Sequence, residues 1–217
     1  MSSFNLIIYL KVPISGFVKT RLAQSIGEQN ALDTYTLLAE AQLDKICSQD
    51  SIEVHFTPET ELTRMIEWLS SDYNYHPQIE GGLGDKLIHS IESSFERKQA
   101  PCICIGADCP ELNETHIKET LRALETGADV VFGPCTDGGY YLVGLNKPQP
   151  ELFRDIPWSS DDTLAVSVKK AQQLGLKIHF LETLYDVDNI HTLKRAIDEG
   201  HLPKHLLPSG HTQSDLR

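Results

Sequence analysis

One uncharged stretch constrains this chain more than any other: Pro101-Cys102-Ile103-Cys104-Ile105-Gly106-Ala107-Asp108-Cys109-Pro110. Its apolar run is too short for a helix and does not alternate in polarity, which predicts a central strand buried on both faces of a parallel sheet. The run ends at Asp108, and Pro110 turns the chain beside it. In an open α/β sheet, ligands bind beyond the carboxyl ends of the strands, so a carboxylate there is aimed at the binding crevice. An aspartate at a strand end also serves as a turn former or helix cap. Asn113 is better placed to cap the helix that follows.

Strands and helices alternate on either side of this centre. Residues 5–9, 52–56, 73–78, 129–132 and 177–181 are β-favouring runs, and an apolar strand follows the turn before Tyr140. Between them, Leu32, Tyr35, Ala39, Leu43, Ile46 and Cys47 repeat at helical spacing, as do Leu62, Met65, Ile66 and Leu69, then Leu87, Ile88, Ile91 and Phe95. Ile117, Leu121 and Leu124 form a helix closing at Gly127. Ser159-x-x-Asp162 reads as a capping-box variant opening another, and a last helix runs through Leu193, Ala196 and Ile197 to Gly200. The pattern predicts an α/β, three-layer, doubly wound, mostly parallel sheet with an antiparallel pair near Tyr140. Residues 1–200 are expected to form a single domain, and the polar tail over 201–217 to be loose.

The formal charge of −12 argues against nonspecific nucleic-acid or anionic-membrane binding. No stretch approaches the roughly 20 apolar residues that span a bilayer, and Met1-Ser2-Ser3-Phe4 lacks the basic flank of a signal peptide. The five cysteines include no C-x-x-C pair, so reduced thiols and a cytoplasmic setting are expected. Cys102 and Cys104 share one strand face as small buried hydrophobes. His55 and His76 have no partners at metal-ligand spacing.

The charge is unevenly spread. Residues 1–27 contain no Asp or Glu but do contain Lys11, Lys19 and Arg21. The segment Lys11-Val12-Pro13-Ile14-Ser15-Gly16-Phe17-Val18-Lys19-Thr20-Arg21 follows the first strand and enters a helix. Val18 stands where a Walker A loop needs glycine, and no dinucleotide fingerprint is present. What remains is a Pro- and Gly-shaped turn whose N–H groups and basic side chains suit polyphosphate. A second loop, Gly81-Gly82-Leu83-Gly84-Asp85, lets backbone approach a ligand or simply makes a tight turn. Asp137-Gly138-Gly139-Tyr140 is a hairpin signal that also suits a substrate-facing wall, with Asp137 as a candidate acid, base or acceptor-binding group.

If the strands are parallel, the basic loop, Asp108 and the late pair Asp186-x-Asp188 reach one sheet edge. Mg²⁺ is typically held by one or two carboxylates plus phosphate oxygens, so Asp108 and one member of the late pair fit such a clamp. In-line transfer from a nucleotide then needs positioning and charge stabilisation more than covalent help. A haloacid-dehalogenase-type phosphatase would need its aspartate after the first strand, where Lys11 stands instead.

These segments resemble the nucleotide-diphospho-sugar transferase superfamily, whose fold is called glycosyltransferase-A. Within it the chain is similar to a bacterial glycosyltransferase-like family and to the molybdenum-cofactor and phospholactate guanylyltransferases. The resemblance rests on Lys11-x-Pro13-x-x-Gly16-x-x-Lys19-Thr20-Arg21-Leu22, Gly106-Ala107-Asp108-Cys109-Pro110, Gly133-Pro134 through Gly144-Leu145, Ile156-Pro157-Trp158-Ser159 and Asp186-Val187-Asp188, in family order. It implies metal ligation of Mg²⁺ or Mn²⁺ by Asp108 and Asp188, with Asp186 beside them. It implies phosphate binding by Lys11, Lys19 and Arg21; Pro13, Gly16 and Thr20 of the same loop, and Gly82 and Gly84 of the glycine-rich loop, are expected to join them in binding the nucleotide. Asp108, Asp137 and Lys19 would act in catalysis, and Asp137, Gly138, Gly139, Tyr140 and Trp158 would face a small-molecule acceptor. Metal-dependent glycosyltransferases carry Asp-x-Asp after the central strand; this chain has a lone Asp followed by x-Pro, as nucleotidyltransferases do. The expectation is therefore nucleotidyl transfer, with sugar transfer from a nucleotide sugar or noncatalytic nucleotide binding as alternatives.

Overall fold

The structure, a computed structural model, describes residues 3–46 and 52–207. Its strands are β1 (Asn5–Lys11), β2 (Ile52–Thr57), β3 (Asn74–Pro77), β4 (Cys102–Ile105), β5 (Val130–Pro134), β6 (Tyr140–Leu145) and β7 (Ile178–Phe180). The helices are α1 (Thr20–Ile26), α2 (Glu28–Ile46), α3 (Leu62–Leu69), α4 (Leu83–Arg97), α5 (Glu114–Glu125), α6 (Thr163–Gln173) and α7 (Ile190–Asp198). The strands form one sheet in the order β3-β2-β1-β4-β6-β5-β7. Only β6 runs antiparallel to its neighbours, pairing Ile103 with Gly144 on one side and Val131 with Gly144 on the other.

The central run behaves as its composition predicts. Cys102, Ile103, Cys104 and Ile105 are all buried, with β1 on one side of β4 and β6 on the other. On β1, alternation sends Leu6, Ile8 and Leu10 to the face covered by Ala39 and Leu43 of α2, Met65 of α3 and Ile117 of α5. Ile7 faces the opposite layer, under Leu87 and Ile91 of α4 and Ala171 of α6. The result is three layers, the solution available to strands apolar on both faces. A satellite cluster joins Leu22, Leu38, Leu193 and Ala196, and so ties α1, α2 and α7 together at one end.

Local signals are kept in most places. Asn113 caps α5 by accepting from Thr115 N–H at 2.8 Å, and the four described cysteines are free and buried. Cys47 lies outside the described residues. The start of α6 differs from expectation. Ser159 sits in left-handed backbone at φ 61°, and the helix opens only at Thr163 behind Asp162, which makes no side-chain cap bond. The Thr163 hydroxyl closes this turn instead, donating to the Pro157 carbonyl at 2.8 Å. Of the tail, residues 201–207 are described, with Leu202 and Leu206 buried against α7 and α2, and the rest of it lies outside the described residues.

Glu53 of β2 is nearly buried under α4, where Oε2 accepts from Arg97 at 2.6 Å and Oε1 from Ser94 at 2.9 Å. Burial works against its charge, but bonds from His55, Arg97 and Ser94 outweigh it and hold the pKa down at about 2. His55 and His76 therefore do have a carboxylate partner, since one ligand atom from each of the three lies within 4.8 Å of the others. A depressed carboxylate pKa stabilises the fold above the unfolded value of 4.5, and that contribution is lost as pH falls toward 2. Arg97 is 41% exposed, so the contribution is discounted for solvent screening to about 1–2 kcal/mol. Glu53→Gln is expected to lose this amount at pH 7 in urea unfolding and to flatten the stability profile between pH 4.5 and 2.

Candidate functional site

The site lies where β1, β4 and β5 end. Tyr35 of α2 pins the exit of β1, its hydroxyl accepting from Lys11 N–H at 2.7 Å and donating to the Lys11 carbonyl at 2.8 Å. The chain then turns through Gly16, at φ 76°, and reaches Lys19, which holds left-handed backbone at φ 47° immediately before α1. A non-glycine residue in that region is strained by about 1 kcal/mol or more, so the surroundings must hold it there.

What holds it is its own side chain. Lys19 Nζ lies 2.6 Å from Asp108 Oδ1 and 2.9 Å from Asp188 Oδ1. The lysine side chain is 4% exposed and the two carboxylates 44% and 40%, so the ammonium is sealed beneath them while the carboxylates still face the cleft. Burial disfavours its charge, but Asp108 and Asp188 more than compensate and raise its pKa above the ordinary lysine value. Asp188 is likewise buried against its charge, yet Lys19, Arg21 and Lys11 hold its pKa below the usual range.

Backbone contacts set this convergence. Gln42 of α2 donates to the carbonyl of Gly106 just before Asp108, and Val187 N–H donates to the Asp108 carbonyl at 3.0 Å. The segment that carries Asp186 and Asp188 runs on from an isolated bridge between Leu184 and Cys135. Asn189 then caps α7 by accepting from His191 and Thr192 N–H. Asp186 is pushed up to about 6, first by burial and then by the charges of Asp188 and Asp137. Asp137 accepts from Gly139 N–H at 2.8 Å within the hairpin turn.

The cleft has two adjoining lobes that share a wall at Gly106, Asp108, Tyr140 and Tyr141. The larger, about 590 Å³, is lined by Lys11, Lys19, Arg21 and Lys86 together with Asp108 and Asp188. The smaller, about 300 Å³, is lined by Asp108, Asp137 and Asp186, with Gly139, Tyr140 and Trp158. Thr20 also lines the larger lobe. Pro13, Gly16, Gly82, Gly84 and Gly138 are not in either wall. Gly82 precedes α4 and donates its N–H to Asp85 Oδ2 at 3.1 Å, leaving Leu83 to face the ligand space. Gly138, at φ 88°, packs on the backbone of Asp161.

Gly84 is a packing position, because a Cβ there would lie 2.5 Å from the Phe153 carbonyl and 2.9 Å from Trp158 Nε1. Gly84→Ala is expected to cost about 1–3 kcal/mol through overpacking, against a helix-propensity gain of at most about 1 kcal/mol. Urea unfolding monitored by tryptophan emission measures it. Sequence reasoning missed Lys86 and Tyr35. Lys86 lies one helical turn after Leu83, so the shared helix face was the available signal. Tyr35 repeats at core spacing, and nothing in that spacing shows that its hydroxyl holds Lys11.

Asp108 and Asp188 line the cleft as partly exposed carboxylates, hard oxygen donors whose chemistry fits a divalent cation beside the Lys19 ammonium that already bridges them. One ligand atom from each of Cys135, Asp137 and Asp186 also lies within 4.8 Å of the others.

Residues 41–160 match the profile of the family described as "Uncharacterized protein conserved in bacteria" (DUF2064). No curated protein matches the chain. Among solved structures, a protein of Desulfovibrio desulfuricans G20 provisionally named a nucleotide-diphospho-sugar transferase aligns at 25% identity over 92% of this chain and 90% of that one, with a TM-score of 0.85. CMP:2-keto-3-deoxy-manno-octonic acid synthetase, solved with CTP, aligns at 11% identity over 93% and 100%, with a TM-score of 0.58. Glucosyl-3-phosphoglycerate synthase of Mycobacterium tuberculosis, solved with Mn²⁺ and UDP, aligns at 11% identity over 91% and 76%, with a TM-score of 0.50. The fold is thus that of nucleotide-diphospho-sugar transferase structures. Among the described residues, no helix is long and apolar enough to cross a membrane.

Proposed function

The chain belongs to the bacterial DUF2064 family, and on that premise we propose that it is a metal-dependent transferase that takes a nucleotidyl group from a nucleoside triphosphate and releases pyrophosphate. The observation that carries this reading is the junction at Lys19, where Asp108 and Asp188 meet one buried cation beneath a lobe that also presents Lys11, Arg21 and Lys86. The three cationic side chains outside that pairing, Lys11, Arg21 and Lys86, suit a triphosphate, and a single carboxylate after β4 suits its metal. Free, buried thiols fit a reduced compartment such as the cytoplasm.

In this reading the phosphates lie along the basic lobe and the acceptor enters the acidic one. The acceptor hydroxyl attacks the α-phosphorus as the bond to the β-phosphate oxygen breaks and pyrophosphate leaves. Asp186 or Asp137 takes the hydroxyl proton. Lys19 holds Asp108 and Asp188 in place, while Lys11, Arg21 and Lys86 offset charge on the leaving pyrophosphate. Mg²⁺ or Mn²⁺, held by Asp108 and Asp188 with Asp186 beside them, would supply further charge neutralisation at the phosphates.

Sugar transfer from a nucleotide sugar is the second reading, favoured by Asp137 and Asp186 lying in one lobe with Trp158. Thermal shifts with Mg²⁺ and a panel of GTP, CTP, UTP, ATP and nucleotide sugars separate the two, because stabilisation follows occupancy. Triphosphates, with GTP first given the guanylyltransferase resemblance, are expected to raise the Tm. Stabilisation by nucleotide sugars alone would overturn nucleotidyl transfer, and a shift without metal-dependent turnover would favour a noncatalytic binder.

A further inference from the structure

The two lobes of the cleft are opposite in charge, and that division bears on the acceptor. Among the described residues, the smaller lobe presents Asp108, Asp137 and Asp186 and no Lys, Arg or His in its wall. Lys19 neutralises Asp108 and Asp188 from beneath, but Asp137 and Asp186 lie outside that pairing. One carboxylate oxygen of Asp137 lies within 4.8 Å of one of Asp186, and an added negative charge would meet two acids of its own sign there. Carboxylates are hydrogen-bond acceptors, and they are best satisfied by a molecule rich in hydroxyl donors. The rest of the wall supplies Ser159 and Ser160 and the half-buried ring of Trp158, which stands edge-on to Tyr140 at 6.1 Å between centroids. A lobe of about 300 Å³ is at the small end for ligand sites, with room for one ring.

We propose that the acceptor is an uncharged, polyhydroxylated molecule about the size of one sugar ring, bearing neither phosphate nor carboxylate. This deepens the transferase reading and rests on it. The hydroxyl donors of the ring meet Asp137 and Asp186, and its apolar face lies against Trp158.

The chain has two tryptophans, so Trp68→Phe leaves Trp158 as the sole reporter. In that variant, with Mg²⁺ present, Trp158 emission is titrated with neutral monosaccharides and polyols, with glucosamine, and with glucose 1-phosphate and glucuronate. Neutral ligands are expected to bind at least tenfold tighter than the anionic ones, and Asp137→Asn with Asp186→Asn is expected to shrink that ratio toward one. Equal or tighter binding of the anionic ligands overturns the proposal, and so does an unresponsive Trp158 across the panel. Preferential binding of glucosamine also overturns it in favour of a cationic acceptor. Nucleotide thermal shifts on the same samples keep the two readings apart. Tighter anionic ligands with intact nucleotide stabilisation remove only the acceptor assignment, whereas loss of nucleotide stabilisation alone removes the transferase reading.

Discussion

Asp108→Asn is expected to lower the proposed metal-dependent turnover about 10²–10³-fold, the loss typical when one preorganised charge-stabilising group is removed from a reacting centre. The substitution is isosteric. It keeps an oxygen near Lys19, whose second partner Asp188 remains at 2.9 Å. The backbone bond from Val187 N–H to the residue 108 carbonyl does not depend on the side chain. The fold should therefore survive, with urea midpoints close to wild type, while the Mg²⁺-dependent part of nucleotide stabilisation disappears. Single-turnover measurements with a triphosphate, alongside thermal shifts with and without Mg²⁺, check both parts. Unchanged turnover at saturating metal would remove Asp108 from the metal site.

The centre of this fold was legible because its signals are local. An apolar run without alternation, a proline after an aspartate and an asparagine ahead of a helical stripe each act within a few residues, and β4, its sharp end and the cap of α5 follow from them. The convergence of Asp108 with Asp188 was inferable only through topology, because parallel strands deliver their carboxyl ends to one edge. The cation between them was not legible. Lys19 and its two partners are far apart in sequence, and solvated loop lysines are common enough that nothing in residues 11–21 distinguishes the buried one from Lys11 or Arg21. The glycine loop at 81–84 misled for a related reason. Glycine marks close approach without saying to what, and at Gly84 the approaching group is the Phe153 carbonyl, not a ligand. The start of α6 was misplaced because Ser159, Ser160, Asp161, Asp162 and Thr163 all cap well in isolation, and the tertiary contact of the Thr163 hydroxyl with the Pro157 carbonyl selects among them.

Lys19→Met tests the electrostatic core of the site. Removing a buried ammonium leaves Asp108 and Asp188 facing each other with no shared cation, the circumstance in which breaking a buried ion pair costs about 3–5 kcal/mol. Both carboxylates are more than a third exposed, so water relieves part of the repulsion and the expected loss at pH 7 is about 1–3 kcal/mol. Its sign with pH is fixed by the two partners. Asp188 has a depressed pKa, so its contribution is present above the unfolded value of 3.8 and is lost as pH falls through the lower folded value. Lys19 has a raised pKa, so its contribution is complete below 10.5 and is lost only as pH rises through the still higher folded value. The difference between wild type and Lys19→Met should accordingly stay flat through neutral pH and narrow in acid below 3.8. Asp108→Asn and Asp188→Asn added to Lys19→Met should recover most of the loss by removing the stranded charges. Mg²⁺ should stabilise Lys19→Met more than wild type, because a divalent ion can then take the place of the ammonium between the two aspartates. Denaturant unfolding of wild type, Lys19→Met and the combined variant, with and without Mg²⁺ and from neutral to acid pH, reads all three expectations, and a Lys19→Met protein as stable as wild type without metal would show that the ammonium does not hold the carboxylates together.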